Sequence, residues 1–244
     1  MTDATGSTPS QHTIAGTVLT MPVRVRKATQ HMAMFSVDAD AAQRMIDYSG
    51  LQVCQYRPRR AVAVLTLMHF VDGDLGQYHE YSTNVMVNPP GSNASGLRAL
   101  QSAGAFVHHM PVDQAFTLEA GRNIWGYPKV MADFNLRGGK NFGFDVTIDG
   151  QFAVGMDFRP GFPVPAPSKP QQSPTYSHLD GITRETAGVW LPSGVRYRPG
   201  GVTVRLGDHP YARELAALGL PKRAMLSGSA DNVDMTFADA QEIK

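Results

Sequence analysis

Residues 119–130 read EAGRNIWGYPKV, and the fold and chemistry of the chain both turn on Lys129 within it. The lysine follows Tyr127-Pro128 and precedes Val130, Met131 and Ala132. An ammonium in water is chemically quiet, but burial disfavours the charged form. A lysine desolvated in this way can attack a carbonyl carbon and form a Schiff base. The commoner fate of a lysine beside apolar residues is to snorkel, with its stem on the core and its charge in water. Pro128 fixes its own backbone and restricts Tyr127, so Tyr127 and Lys129 are expected to point in defined directions. The segment lies between two apolar runs and is expected to connect strands across a core. Arg122 could grip a substrate carboxylate through its planar fork, or form a structural ion pair with Glu119.

Outward from this segment the chain reads as strands with few helices. Residues 105–110 and 114–120 are expected strands on one side of it, and 130–136 and 142–148 on the other. A turn over Arg137-Gly138-Gly139-Lys140 joins the last two. Residues 61–70 (AVAVLTLMHF) have the composition of a central strand. Asp72-Gly73-Asp74 is a turn, and 77–87 continues as a second strand, which together predict a hairpin. In that second strand, alternation puts Tyr78 and Glu80 on one face and His79 and Tyr81 on the other. A buried carboxylate such as Glu80 can shuttle protons, although an exposed strand glutamate is the commoner case.

Residues 31–37 read as a strand. Asp38 is expected to cap a short helix that ends by Gly50 and buries Ala41, Ala42, Met45 and Ile46. Residues 88–96 form a loop and 97–103 one or two helical turns. The run RPGFPVPAPSKPQQSP at 159–174 is too rich in proline for a central strand. It reads as a semi-rigid linker or a loop carried to a partner subunit. Strands resume at 175–191 and 195–206. Asp208 is expected to cap a helix with Pro210 near its first turn and Gly219 at its end. Leu215, Ala216 and Leu218 should face a core, and a last strand covers 223–237. Residues 1–12 read as a flexible tail and 13–244 as one β-rich α+β domain.

Composition narrows the function. A net charge of +1 without a long basic run argues against nucleic-acid binding. Arg57-Pro58-Arg59-Arg60 is the densest basic cluster and reads as a solvated loop before a strand. The single cysteine, Cys54, excludes an intrachain disulfide and reads as a small buried residue in a reducing cytoplasm. Residues 1–12 carry no apolar run of the signal-peptide kind, and no stretch approaches a membrane span. His69, His79, His108 and His109 lack the spacing of a known zinc motif, so no metal is expected. Neither a dinucleotide fingerprint nor a Walker sequence is present, and no cofactor is expected.

Three motifs in order resemble the acetoacetate decarboxylase superfamily. LGQYHE at 75–80 is similar to its LG-x-Y-x-E segment, and GRNIWGYPK at 121–129 to its GR-x4-YPK segment. LGDHPYARELAALGLP at 206–221 is similar to its near-C-terminal pattern, and the resemblance covers most of residues 20–240. It implies an antiparallel β cone or closed barrel with flanking sheets and few short helices, assembled as a homo-oligomer. It also implies that Lys129 is the Schiff-base lysine and Glu80 the active-site glutamate. Tyr127, Tyr78 and Arg122 are the expected substrate contacts. The substrate is a small or medium oxo acid. An activated lysine of this kind is familiar from acetoacetate decarboxylase itself.

The chain also departs from that pattern. Val130 stands where the decarboxylases carry a second lysine, so desolvation alone, or another cation, must favour the neutral amine of Lys129. The family's N-terminal arginine aligns near Ala28, with Arg26 and Lys27 out of register. Its second acidic residue aligns at Val64 or Leu65. Decarboxylation of a β-keto acid through a Lys129 imine is the leading expectation. Relatives that keep the lysine and act on pyruvate as aldolase–dehydratases supply the alternative, and a non-catalytic pocket for a small ligand is the third.

Overall fold

The computed structural model describes residues 9–139 and 141–243. The short hairpin β1 (Gln11–Ile14) and β2 (Thr17–Thr20) precedes the long strand β3 (Val23–Asp38) and helix α1 (Ala39–Ile46). Strands β4 (Arg60–Gly73), β5 (Tyr78–Val87) and β6 (Gly104–Val112) follow, then helix α2 (Ala115–Trp125) and the three-residue β7 (Lys129–Met131). A meander comprises β8 (Asp133–Arg137), β9 (Phe142–Ile148) and β10 (Gln151–Phe158). Next come β11 (Phe162–Pro163), β12 (Gln171–Leu179), β13 (Ile182–Ser193), β14 (Arg196–Arg198) and β15 (Val202–Leu206). Helix α3 (Pro210–Ala217) and strands β16 (Leu226–Ala230) and β17 (Asn232–Glu242) complete the chain.

Seven strands close on themselves in the order β3-β17-β13-β12-β6-β5-β4, with β4 returning to β3. This is the expected closed barrel, with the sheet β15-β10-β9-β8 on its flank. Alternation divides each barrel strand between two environments. On β5, Tyr78, Glu80, Ser82 and Asn84 line the lumen. Tyr81 and Val85 point outward, into a core shared with Phe144 and Met156 of the flanking sheet.

The barrel wall is incomplete at one place. Strands β6 and β12 pair, in parallel, only where Ala105 and Phe106 meet Thr175 and Tyr176. Farther along, Met110, Pro111 and Val112 of β6 pair with β7 instead. The unit α2–β7 therefore enters the wall as a wedge. It is pinned to β12 by a 2.6 Å bond from Ser177 Oγ to the Trp125 carbonyl. Trp125 Nε1 donates to the Ala238 carbonyl of β17 at 2.8 Å, which draws α2 across that end of the barrel. Ile14 and Leu19 of the first hairpin join Ile124 and Trp125 in the core beneath the lumen.

Several sequence expectations need correction. Residues 114–120 are not a strand: they begin α2, whose Gln114 caps Thr117 N–H. The alternation Phe116, Leu118 suggests period two, but the buried set Thr117, Ala120, Gly121, Ile124 has helical spacing. The α3 cap is His209 rather than Asp208, because His209 Nδ1 accepts from Tyr211 N–H at 3.2 Å. Ala216 is exposed, and Ala212 takes its place on the buried face with Leu215. Residues 175–191 form two strands around Asp180-Gly181, with Gly181 at φ 77°, and 223–237 divides into β16 and β17. Likewise 195–206 comprises β14 and β15, and 130–136 divides between β7 and β8. The proline-rich run is not all loop. Pro174 lies within β12, one residue before Thr175 first meets β6.

Of the tail expected at 1–12, residues 1–8 lie outside the described residues, and Gln11 and His12 belong to β1. Lys140 also lies outside them, but β8 and β9 pair as the hairpin expected around it. Asp38 caps α1 as expected, and Ala41 and Met45 are half-buried rather than buried. Cys54 is fully buried, and Arg57 to Arg60 are exposed.

Candidate active site

Lys129 opens β7 directly after the turn that ends α2. Gly126 terminates the helix at φ 64°, a left-handed conformation that costs glycine little. Tyr127 N–H then bonds back to the Gly121 carbonyl at 3.0 Å. Tyr127 is buried, and its phenol shares a 2.8 Å bond with Thr175 of β12. Burial pushes that phenol up to about 12, and the bond to Thr175 pulls the other way. Together these contacts aim Lys129 into the barrel.

The lysine does not snorkel: it is 2% exposed. Its Nζ lies 2.8 Å from Glu80 Oε2 and donates to Thr117 Oγ1 at 2.8 Å. The ring of Tyr78 stands 5.1 Å away, where a cation is attracted to its face. Two of the three ammonium donors thus have oxygen partners, and Glu80 compensates the buried charge. Burial raises the Tyr78 phenol far above its ordinary value, and the Glu80 charge adds to the effect.

Gly121 is the least obvious member of the site. It lies one helical turn after Thr117, on the face of α2 over the lysine. A Cβ at Gly121 would stand 2.5 Å from Lys129 Cδ and 2.6 Å from Cε. The glycine of the GR segment therefore makes room for the lysine stem. Arg122, next to it, is exposed and does not line the cavity. Its Nη1 donates to the Lys129 carbonyl at 3.2 Å, so it braces the backbone of β7. Among the described residues it has no ion pair with Glu119; of the two roles expected, a carboxylate contact or a structural anchor, this contact is of the structural kind.

Lys129 and Glu80 open onto a cavity of about 250 Å³ that occupies the barrel lumen. Among the described residues they are the only charged side chains that line it. Val130, by strand alternation, faces away from the lysine and packs on the outer core. Position 130 is therefore not beside Nζ, and the valine there removes less from the site than adjacency in sequence suggests. Arg26 is bound to Asp72 and Asp74 at 2.7 and 2.8 Å on the surface, and Ala28 is buried without lining the cavity. Val64 lines the cavity, and Leu65 belongs to the outer core.

The histidines lie elsewhere. His79 Nδ1 pairs with Asp113 at 2.7 Å and its ring stacks on His69 at 4.3 Å. The register of β5 on β6 jumps from Thr83–His109 to Asn84–Val107, which leaves His108 in a bulge. Such a bulge re-aims a side chain. Here His108 and His109 both reach Glu214 Oε2 of α3, at 2.6 and 2.7 Å. The two bonds hold the Glu214 carboxyl well below the usual carboxylate range. Glu214 is 105 residues from His109, so no local spacing discloses the grouping.

The structure thus brings Lys129, Glu80, Tyr78 and Tyr127 together and leaves Arg122 outside. Sequence reading missed Thr117 and Gly121. A helical reading of 114–125 would have placed both on one face before the lysine.

A family model described as acetoacetate decarboxylase matches residues 7–241. No curated protein matches the chain by sequence. Acetoacetate decarboxylase from Legionella pneumophila subsp. pneumophila strain Philadelphia 1 superposes with a TM-score of 0.65 at 16% identity, over 99% of this chain and 93% of that one. The enduracididine biosynthesis enzyme MppR complexed with pyruvate gives 0.66 at 18% identity, over 98% and 99%. An acetoacetate decarboxylase-like enzyme from Sphingomonas wittichii RW1 gives 0.58 at 14% identity, over 90% and 93%. At these identities the likeness is one of fold.

Proposed function

Because the chain belongs to the acetoacetate decarboxylase family, matched over residues 7–241, we propose that it is a Schiff-base lyase that decarboxylates a β-keto acid on Lys129. The observation that carries this reading is the buried Lys129–Glu80 pair, 2.8 Å apart, in a lumen with no other charged side chain among the described residues.

Glu80 takes a proton from the ammonium, and the neutral amine adds to the ketone carbon. A proton passes from nitrogen to the new alkoxide, and Glu80 returns its own proton so that the hydroxyl leaves as water. The product is a cationic iminium two bonds from the substrate carboxylate. The bond to the carboxylate carbon then breaks, its electron pair enters the C=N⁺ group, and carbon dioxide and a neutral enamine result. This step removes one positive and one negative charge, and an apolar lumen favours that loss. Glu80, reloaded from solvent, protonates the enamine carbon, which accounts for the one proton consumed overall. Hydrolysis of the iminium releases the ketone and restores the lysine.

An aldol reaction on pyruvate would retain the substrate carboxylate to the end. A lumen whose only cation among the described residues is the nucleophile itself suits that chemistry less well. Borohydride trapping with acetoacetate and pyruvate in separate reactions, read by intact mass, tests the assignment. A reduced adduct on the peptide containing Lys129, with release of carbon dioxide from the β-keto acid, is the expected result. Turnover by Lys129→Ala at the wild-type rate would refute it, and an adduct from pyruvate alone would favour the aldol reading.

A further inference from the structure

The lumen is not uniform on the two sides of Lys129. The rungs that join β4 to β5 pair Phe70 with Tyr78, Met68 with Glu80, Thr66 with Ser82 and Val64 with Asn84. One rung beyond Glu80 in the first direction, Phe70 and Tyr78 stack at 4.3 Å with Leu75 beside them. All three are buried, and α2 and the first hairpin close that end through the core beneath it. In the other direction the rungs turn polar. Thr66 and Ser82 face each other, Asn84 Nδ2 donates to Ser82 Oγ at 2.8 Å, and Val64 beyond them is partly exposed. The Ser82 hydroxyl proton has no acceptor among the described residues. Met32, paired with Thr66, and Val107, paired with Asn84, also line that side. The nucleophile therefore stands between an apolar blind end and a mouth whose polar groups, none of them charged among the described residues, are gathered on β4 and β5.

Resting on the imine reading above, we propose that the substrate is a 3-oxo acid whose ketone carries an apolar chain or ring. That group fills the blind end at Phe70, Leu75 and Tyr78, and the carboxylate points to the hydroxyls of Thr66 and Ser82. The Glu80 carboxylate repels a second anion at its own level and leaves the mouthward rung as the place for it. Successive rungs on one face lie about 7 Å apart. A carboxylate two bonds from the ketone carbon, plus a hydrogen bond of about 2.8 Å, covers that step. Volume agrees with an apolar extension. A dry cavity of about 150 Å³ admits benzene, with six heavy atoms, so this lumen takes roughly ten. Acetoacetate, with seven, leaves it underfilled. Three or four further carbons fill it.

The test is kcat/KM, with trapping on Lys129, for acetoacetate, 3-oxohexanoate, 3-oxooctanoate and benzoylacetate. Each added methylene that enters the blind end is expected to raise kcat/KM by about fourfold. A flat series, or one led by acetoacetate, overturns the proposal and leaves the imine reading standing. Absence of a Lys129 adduct from every member overturns the imine reading and this one with it. Leu75→Phe, checked for folding by its melt, is expected to move the optimum to shorter chains, and an unmoved optimum overturns the blind-end placement. Ser82→Ala should raise KM for the acids about tenfold with kcat little changed, and an unaltered KM overturns the carboxylate placement.

Discussion

Gly121→Ala separates the stability of α2 from the function of the site it carries. In an ordinary helix interior, alanine stabilises relative to glycine by about 1 kcal/mol. For a domain of this size that corresponds to a melting temperature roughly 2–4 °C higher. The new methyl, however, would stand 2.5 Å from Lys129 Cδ, 2.6 Å from Cε and 3.2 Å from Nζ. Carbon atoms prefer about 3.5–4.0 Å, so the end of the lysine must move by about 1 Å into the lumen. The 2.8 Å contacts to Glu80 and Thr117 cannot both survive that shift. A 1 Å misplacement of a reacting group can cost on the order of 100-fold in rate. The overpacking and the lost lysine contact offset the alanine gain, so the expected variant folds but is no more stable than the parent, and is about two orders of magnitude slower in borohydride-trapped imine formation with its best oxo acid. The melt and the trapping rate are read on the same preparation. A folded Gly121→Ala protein that traps within about threefold of wild type would refute the reasoning, because the glycine would then make no room that the lysine needs.

Three further outcomes follow from the same contacts. Lys129→Met leaves the Glu80 carboxylate buried without its partner and should cost about 3–5 kcal/mol in denaturant melts, with Glu80→Gln added on top recovering most of it. If the double variant is no more stable than the single one, the pair is not coupled as described. Thr117→Val removes the hydroxyl that accepts from Nζ and should cost about 1.5–3 kcal/mol, measured in the same way. Burial lowers His109 to about 4, against the hydrogen bond to Glu214, and lowers His31 to about 4, against the charge of Asp231. Both folded values lie below the usual 6.5, so the unfolded chain binds more protons between about pH 4 and 6.5. Stability should be steady above pH 6.5 and fall as pH drops through that window. His109→Gln should flatten part of the slope, and an unchanged slope would remove His109 as its source.

Much of the barrel was legible because its strands carry their signal locally. The run at 61–70 and the turn at 72–74 specify a hairpin in the chain itself, and alternation along it correctly put Tyr78 and Glu80 on one face. The pairing of Lys129 with Glu80 follows from neither segment alone; the family motifs linked them. Helix α2 was hidden because Phe116 and Leu118 alternate like a strand, and only packing against β7 reveals that Thr117 and Gly121 form the working face. Arg122 was left open between a carboxylate clamp and a structural anchor for a related reason. A guanidinium beside the lysine motif suits either role by its sequence, and only the helix shows that it turns outward, where it holds a backbone carbonyl. The bulge at His108 depends on register between two strands and is invisible in either.

The wedge has a consequence for how such a protein can change. Residues 114–131 bring Lys129, the proposed nucleophile, the threonine that holds it and the glycine that accommodates it, all in one continuous segment. The seven-stranded ring beside it is closed by pairings that do not involve this segment. Apart from Glu80 and Tyr78, which β5 of the ring supplies, the surroundings of Lys129 and the container are thus written in separate stretches of the gene. A lineage can redraw the lumen for a new guest by substitutions in the ring and keep its chemistry. It can equally let the insert drift, and retain a folded vessel that no longer reacts.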